Sequence, residues 1–197
     1  MARPFAYHAR SPQWRYDMFS HLEVDIDLQL KAVTPEDAAA LFALVDANRS
    51  YLRQWLPWLD FNTEVAHSAA FIAESCTLMS AGTGLVSLIY HQGELVGTIG
   101  YNSIDREISR AEIGYWLAQH AQGRGIMTRC AAALTAYAFD TLDLETVHIA
   151  AAVENLGSRA IPERLGFEYT GIKADAEELY GRKVDHAVYL KHRVSSS

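Results

Sequence analysis

The sequence predicts an α/β domain on a mixed, mostly antiparallel sheet, and three features carry that prediction. Strand-like runs at 84–90, 94–103 and 110–117 follow one another with short links, the pattern of an antiparallel meander. A long segment, 122–141, comes next, and its apolar positions Ile126, Met127, Ala131, Leu134 and Ala138 recur at helical spacing. A further run, 146–153 (TVHIAAAV), is apolar along most of its length, as in a strand covered on both faces, and it leads into another helix.

Taken in order, residues 1–22 form an N-terminal arm with no clean period, packed on the body through Trp14 and Tyr16, and 23–197 form one domain. Ile26, Leu28, Leu30 and Ala32 alternate with polar neighbours, the mark of a half-buried strand. Thr34-Pro35-Glu36-Asp37 has capping-box spacing with proline at the first helical position, so a helix runs from there to about Ala47. Residues 48–60 (NRSYLRQWLPWLD) crowd aromatic and aliphatic side chains around the helix-breaking Pro57. Most of these pack a short helix and its exit loop, while Trp55 and Trp58, on either side of the proline, are candidates for the wall of a substrate cleft. A helix over 64–80 ends near Gly82, and His91-Gln92-Gly93 joins two strands as a tight turn. Residues 155–165 form a short helix closed by Gly166. Strands 167–172 and 184–191 close the fold, separated by a polar segment at 173–183, and 195–197 is a frayed tail.

The chain has 197 residues and a formal net charge of −7, which argues against a nucleic-acid sheath as partner and suits a substrate that is itself cationic. Cys76 and Cys130 are the two cysteines, too few for a disulfide framework or a paired metal site, so no metal is implied. Cys130 falls within the long helix as a buried small apolar residue. The first residues lack a continuous apolar core, and no apolar run is long enough to span a membrane, so the expected compartment is the cytoplasm.

Chemistry concentrates where strands run into helices. Gln122-Gly123-Arg124-Gly125 permits a sharp turn and presents free N–H groups at a helix N-terminus, an arrangement that attracts phosphate. It is neither a dinucleotide fingerprint nor a P-loop: no third glycine follows at the required place, and no Gly-Lys-Ser/Thr. Run 146–153 ends in the same way, at Asn155-Leu156-Gly157-Ser158, where Asn155 suits a helix N-cap.

These pieces resemble the GCN5-related N-acetyltransferases, in the branch that acetylates the N-terminal amine of ribosomal proteins. The resemblance rests on EIGYWL (112–117), QGRGIM (122–127), YAF (137–139), the highly specific N-x-x-S-RAIPERLGF (155–167), and late Tyr180-Gly181, Asp185-His186 and Tyr189; with the early strand and helix it covers nearly all of 24–192. It implies two central strands splayed apart, helices on both faces, and acetyl-CoA as co-substrate. The pantetheine would bond to the strand end at Leu117 and Ala118. The pyrophosphate would lie on the turn Gln122, Gly123, Arg124, Gly125, Ile126 and Met127, and Asn155 would contact the cofactor amide. Ser158 matches the serine beside the CoA sulfur, and Glu177 the glutamate acting as base. Glu112, on the central strand, is the alternative base and a substrate-side residue; His120 and His186 are weaker candidates.

The implied reaction is direct attack of a neutral amine on the thioester, with the N-terminal amine of a protein as acceptor. A small amine (aminoacyl nucleotide, polyamine or antibiotic) is the second possibility, and a non-catalytic CoA-binding scaffold the third. Homodimerisation is expected by analogy with relatives.

Overall fold

In the computed structural model, which describes residues 19–194, the chain opens with a hairpin of β1 (His21–Asp25) and β2 (Leu28–Ala32). A 3-10 turn at Pro35–Asp37 leads into α1 (Ala38–Ala47), then α2 (Arg49–Leu52) and α3 (Val65–Ala81). The meander follows as β3 (Leu85–His91), β4 (Glu94–Asp105) and β5 (Arg110–Leu117). After it come α4 (Ile126–Asp140), β6 (Thr146–Ala152), α5 (Leu156–Arg164), β7 (Glu168–Leu179) and β8 (Arg182–His192). Among the described residues, eight strands join one sheet in the order β1-β2-β3-β4-β5-β6-β8-β7. Only β5 and β6 pair in parallel, so the sheet is mixed and mostly antiparallel.

Helices cover both faces, and each face has its own core. Against one side pack Ile126, Met127, Cys130, Ala131, Leu134 and Ala138 of α4, over Ile99, Tyr101, Ile113 and Ile149 of the sheet. Against the other pack Leu41, Val45, Leu52 and Ile72, from α1, α2 and α3, over Leu88. The capping box forms as its spacing predicts: the Thr34 N–H and hydroxyl both donate to Asp37 Oδ2, at 2.8 and 3.0 Å. Burial is the largest single influence on this carboxylate and opposes its ionised form, but the Lys31 ion pair at 2.9 Å and the two Thr34 bonds together outweigh it and hold the Asp37 pKa below the usual range.

Several elements depart from the sequence reading. His21 and Leu22 belong to β1 rather than to an arm, and Ile26 lies fully exposed in the hairpin turn, so only Leu28, Leu30 and Ala32 supply the buried alternation. Trp14, Tyr16 and the tail at 195–197 lie outside the described residues. The polar stretch 173–183 is mostly strand: β7 reaches Leu179 and turns through Tyr180-Gly181 into β8. Its residues are polar because β7 is an edge strand largely open to solvent, so hydrophobic alternation does not mark it. Strand β6 is fully buried along one face, through Val147, Ile149 and Ala151, while on the other Thr146, His148 and Ala150 are half-buried and only its last residue, Ala152, is buried. The partly open face belongs to a cleft. Helix α4 starts at Ile126, four residues later than predicted, because Gly123 and Gly125 adopt left-handed backbone that a right-handed helix does not include.

Candidate active site

The parallel ladder between β5 and β6 runs only from Arg110↔Thr146 to Ile113↔Ile149. Past that point Gly114–Leu117 stays with β4 and Ala150–Ala152 stays with β8, leaving a gap in the sheet. The gap opens into a cleft of about 1270 Å³ lined from both sides of the sheet. Its floor is kept low by Gly100, Gly114, Ala150 and Ala152. At Gly100 a Cβ would come within 1.9 Å of the Leu85 carbonyl oxygen, so no side chain fits there.

Strand geometry decides which backbone groups face the gap. The Ala118 N–H donates to Val96 O at 2.7 Å, toward β4. In an antiparallel pair the next residue points its groups the other way, so the Leu117 N–H and C=O face the gap. Leu117 lines the cleft, as the resemblance requires. Ala118 does not: it is fully buried, its N–H is taken by Val96, and its carbonyl accepts from Ala121 at 3.0 Å.

Gln122, Gly123, Arg124, Gly125, Ile126 and Met127 all line the same cleft. Gly123 and Gly125 have φ of 73° and 70°, the left-handed region where a side chain is strained. Gly125 is the N-cap of α4 and offers no side-chain cap. The first intrahelical bond of this end runs from Arg129 N–H to Gly125 O, which leaves the amides of the first turn free for an anionic ligand. Arg124 and Arg164, both on the cleft, have no ion-pair partner among the described residues. Gln122 donates to the Tyr51 hydroxyl, tying the turn to α2.

At the other rim, Asn155 caps α5: its Oδ1 accepts from the Ser158 N–H at 3.1 Å. Ser158 lies in the first turn of α5 and lines the cleft. Four residues on stands Pro162, inside the helix, with no N–H to give to the Ser158 carbonyl. That carbonyl instead accepts from the Tyr115 hydroxyl of β5 at 3.0 Å, and the Ser158 Oγ approaches the same hydroxyl at 3.4 Å. Burial pushes the Tyr115 phenol up to about 12, so it stays protonated and remains a donor. Tyr115 is absent from the candidates the sequence offers. Its one signal there is the proline four residues after the serine, which announces a carbonyl seeking a partner.

Two carboxylates face the cleft. Glu112 accepts from Asn102 Nδ2 at 3.3 Å and lies 3.2 Å from His148 Nδ1. The His148 contact is the main reason its pKa is lowered, and burial opposes it. Glu177 comes from β7, past an irregularity in register between Lys173 and Glu177. The Asp175 backbone there has φ of 50°, its N–H donates to Asp185 Oδ1 at 2.9 Å, and its carboxylate takes Lys183 at 2.8 Å. Beside Glu177, His186 Nε2 lies 3.5 Å from Oε2. His120 instead pairs with Glu94 at 3.2 Å and does not line this cleft. Trp55 and Trp58 are both half-buried and both line the cleft, joined by Phe61 and Phe71. Tyr180 ties this wall to the β7–β8 turn: its hydroxyl donates to Leu56 O at 2.7 Å, and the Arg53 guanidinium lies 3.8 Å over its ring.

Residues 27–168 match the family model described as acetyltransferase (GNAT) domain. The chain belongs to the GNAT acetyltransferase family. As a GNAT enzyme it is an N-acetyltransferase that uses acetyl-CoA as donor. It is 32% identical over 168 residues to the putative ribosomal N-acetyltransferase YdaF of Bacillus subtilis, across 85% of this chain and 92% of that one. With the ribosomal-protein-serine acetyltransferase of Escherichia coli it shares 29% identity over 88% of this chain and 97% of that one. Among solved structures it superposes on RimL, the ribosomal L7/L12 α-N-protein acetyltransferase, in complex with coenzyme A, with a TM-score of 0.84 at 30% identity, covering 87% and 97% of the two chains. It superposes equally on the microcin C7 self-immunity acetyltransferase MccE in complex with acetyl-CoA and AMP, at 0.85 and 28%, covering 88% and 97%.

Proposed function

We propose that this GNAT enzyme acetylates the N-terminal α-amine of a protein, with a ribosomal protein as the acceptor class. The observation that carries the reading is one continuous cleft lined by a phosphate-ready helix end, an aromatic wall and the Glu177 carboxylate. Similarity over 85–88% of this chain to ribosomal-protein N-acetyltransferases supports the acceptor class. Such an acceptor places the enzyme in the cytoplasm; no helix among the described residues is long and apolar enough to cross a membrane.

The residues present fit acetyl-CoA. Leu117 offers an unpaired strand edge for the pantetheine amides, and the Gln122–Met127 turn offers free amides for the pyrophosphate, with Arg124 adding charge. Acetyl-CoA supplies an acetyl thioester, open to attack by a neutral amine. Glu177 removes the proton from the incoming ammonium, directly or through one water. Glu112 is the poorer base, because His148 and Asn102 already hold it in its ionised form. Ser158, held by its own capped helix turn and by Tyr115, donates a hydrogen bond to the departing sulfur.

The test is an acetylation assay on purified protein with acetyl-CoA and peptides bearing free Ser, Thr or Ala N-termini, read by mass spectrometry. The expected product carries one acetyl group on the α-amine. A panel in which an aminoacyl nucleotide is acetylated and no peptide is would move the acceptor to a small amine, the direction in which the AMP-bound neighbour points.

A further inference from the structure

His186 has a feature that its place in the sheet does not require. Its Nε2 is shielded from solvent and makes no hydrogen bond among the described residues, which is unusual for a buried polar atom. The side chain is 19% exposed and lines the cleft. The nearest acidic oxygen is Glu177 Oε2 at 3.5 Å, close but not aligned as a hydrogen bond. In the sheet His186 stands opposite Lys173 on β7 and Ala152 on β6. Directly opposed strand residues share a face, so Lys173 and Glu177 are the charged groups that β7 turns toward it, and Ala152 brings none from β6. Further along this face lie Glu112 and His148, which satisfy one another. Asp185 is committed to the Asp175 N–H.

Resting on the reading of Glu177 as base, we infer that His186 is the positioning and proton-holding partner of that carboxylate. In the free enzyme the His186 Nε2 stands beside the Glu177 carboxylate with no hydrogen bond of its own. An acceptor R–NH₃⁺ gives one proton to Glu177 Oε2 and becomes the neutral amine. A small rotation about the Glu177 side chain then aligns Oε2 with Nε2, and the proton passes to the imidazole. Glu177 is an anion again and the imidazole a cation, so the pair has gained the one proton the acceptor lost. The carboxylate is then free to hold the N–H of the amine as the C–N bond forms; as the C–S bond breaks, the amine's second proton goes to the departing CoA thiolate, and the stored first proton returns to solvent through the same oxygen after release. The Lys173–Glu177 irregularity serves this arrangement, since the Asp175–Asp185 bond sets where the Glu177 side chain meets His186.

The experiment compares kcat, acetyl-CoA KM and the pH profile of kcat/KM for the wild type, H186Q, H186N and E177Q, with folding of each checked by circular dichroism. A proton shared by the two side chains shows itself in the acid limb of that profile, which then belongs to the pair and not to either residue alone. Removing the imidazole is expected to lower kcat at neutral pH at least about tenfold. It also moves the acid limb to lower pH, toward the carboxylate range, with acetyl-CoA KM unchanged within about twofold. E177Q is expected to lose activity and the limb together. If both folded His186 variants keep the wild-type acid limb, the inference is overturned even when kcat falls, since a structural defect alone would do that. With E177Q inactive, Glu177 would still stand as the base. If E177Q is fully active, the base assignment fails first and this inference with it.

Discussion

At the residue scale, a few atoms hold Ser158 in place. Its amide is capped by Asn155, and its carbonyl is left open by Pro162 and taken by Tyr115. Replacing Ser158 by Ala removes the donor to the sulfur and leaves the cap intact, so steady-state kinetics should show kcat falling about tenfold or more with little change in acetyl-CoA KM. Equal losses in both would make the serine structural. Tyr115→Phe strands the Ser158 carbonyl in a half-buried position, at a stability cost of about 1–3 kcal/mol in chemical denaturation, and loosens the serine as well. Pro162→Ala is the complementary change, since it restores an N–H that competes with Tyr115 for the carbonyl. Asn155, Ser158 and the glycine turn were legible in the sequence, because caps and turns are local chemistry. Tyr115 was not, because it meets Ser158 from 43 residues away across the gap.

At the element scale the β1–β2 hairpin is fastened to the cofactor side of the molecule. Arg129, in the first turn of α4, reaches Asp25 at 2.6 Å and Asp27 at 2.9 Å, and His91 reaches Asp27 at 3.1 Å. The Arg129 hydrogen bond is the main reason the Asp27 carboxyl is lowered from 3.8 to about 2. A carboxylate depressed in the folded state adds stability that is complete above its unfolded value and is lost as pH falls through the folded one. Acid titration of the fold should therefore show this part fading between about pH 4 and pH 2. In Asp27→Asn that part is absent throughout, so its stability curve should be lower near neutrality and converge on the wild type at the acid end. A constant difference down to pH 2 would contradict the assignment. The hairpin also shows where sequence reading fails. Alternation located β2 from Leu28, Leu30 and Ala32, yet Ile26 belongs to the turn, and β1 has too little burial to leave a pattern. Strand β7 escaped over half its length for the same reason, and Glu177 lies in that half.

At the scale of the whole molecule, function follows from a sheet that stops being continuous in its middle. Two cores, one on each face, pack against a sheet in which β4–β5 and β6–β8 stay paired while the β5–β6 ladder ends at Ile113 and Ile149. The open edge at Leu117, the uncapped end of α4, Ser158, Glu177 and the tryptophan wall all border the space so created. The mixed sheet, the order of elements and most of this lining could be read from periodicity, caps and family motifs. The satisfied state of Glu112, the withdrawal of Ala118 into the β4 ladder and the pairing of Glu177 with His186 could not, since each depends on which residues the register sets opposite one another. The most direct test of the account is a crystal structure with a CoA–peptide conjugate that joins the two substrates through the acetyl position. The account predicts the pantetheine between β5 and β6 against Leu117, the pyrophosphate on Gln122–Met127, the sulfur beside Ser158, and the peptide amine beside Glu177 under Trp55 and Trp58. A conjugate seated with its sulfur away from Ser158, or its peptide outside the tryptophan wall, would contradict it.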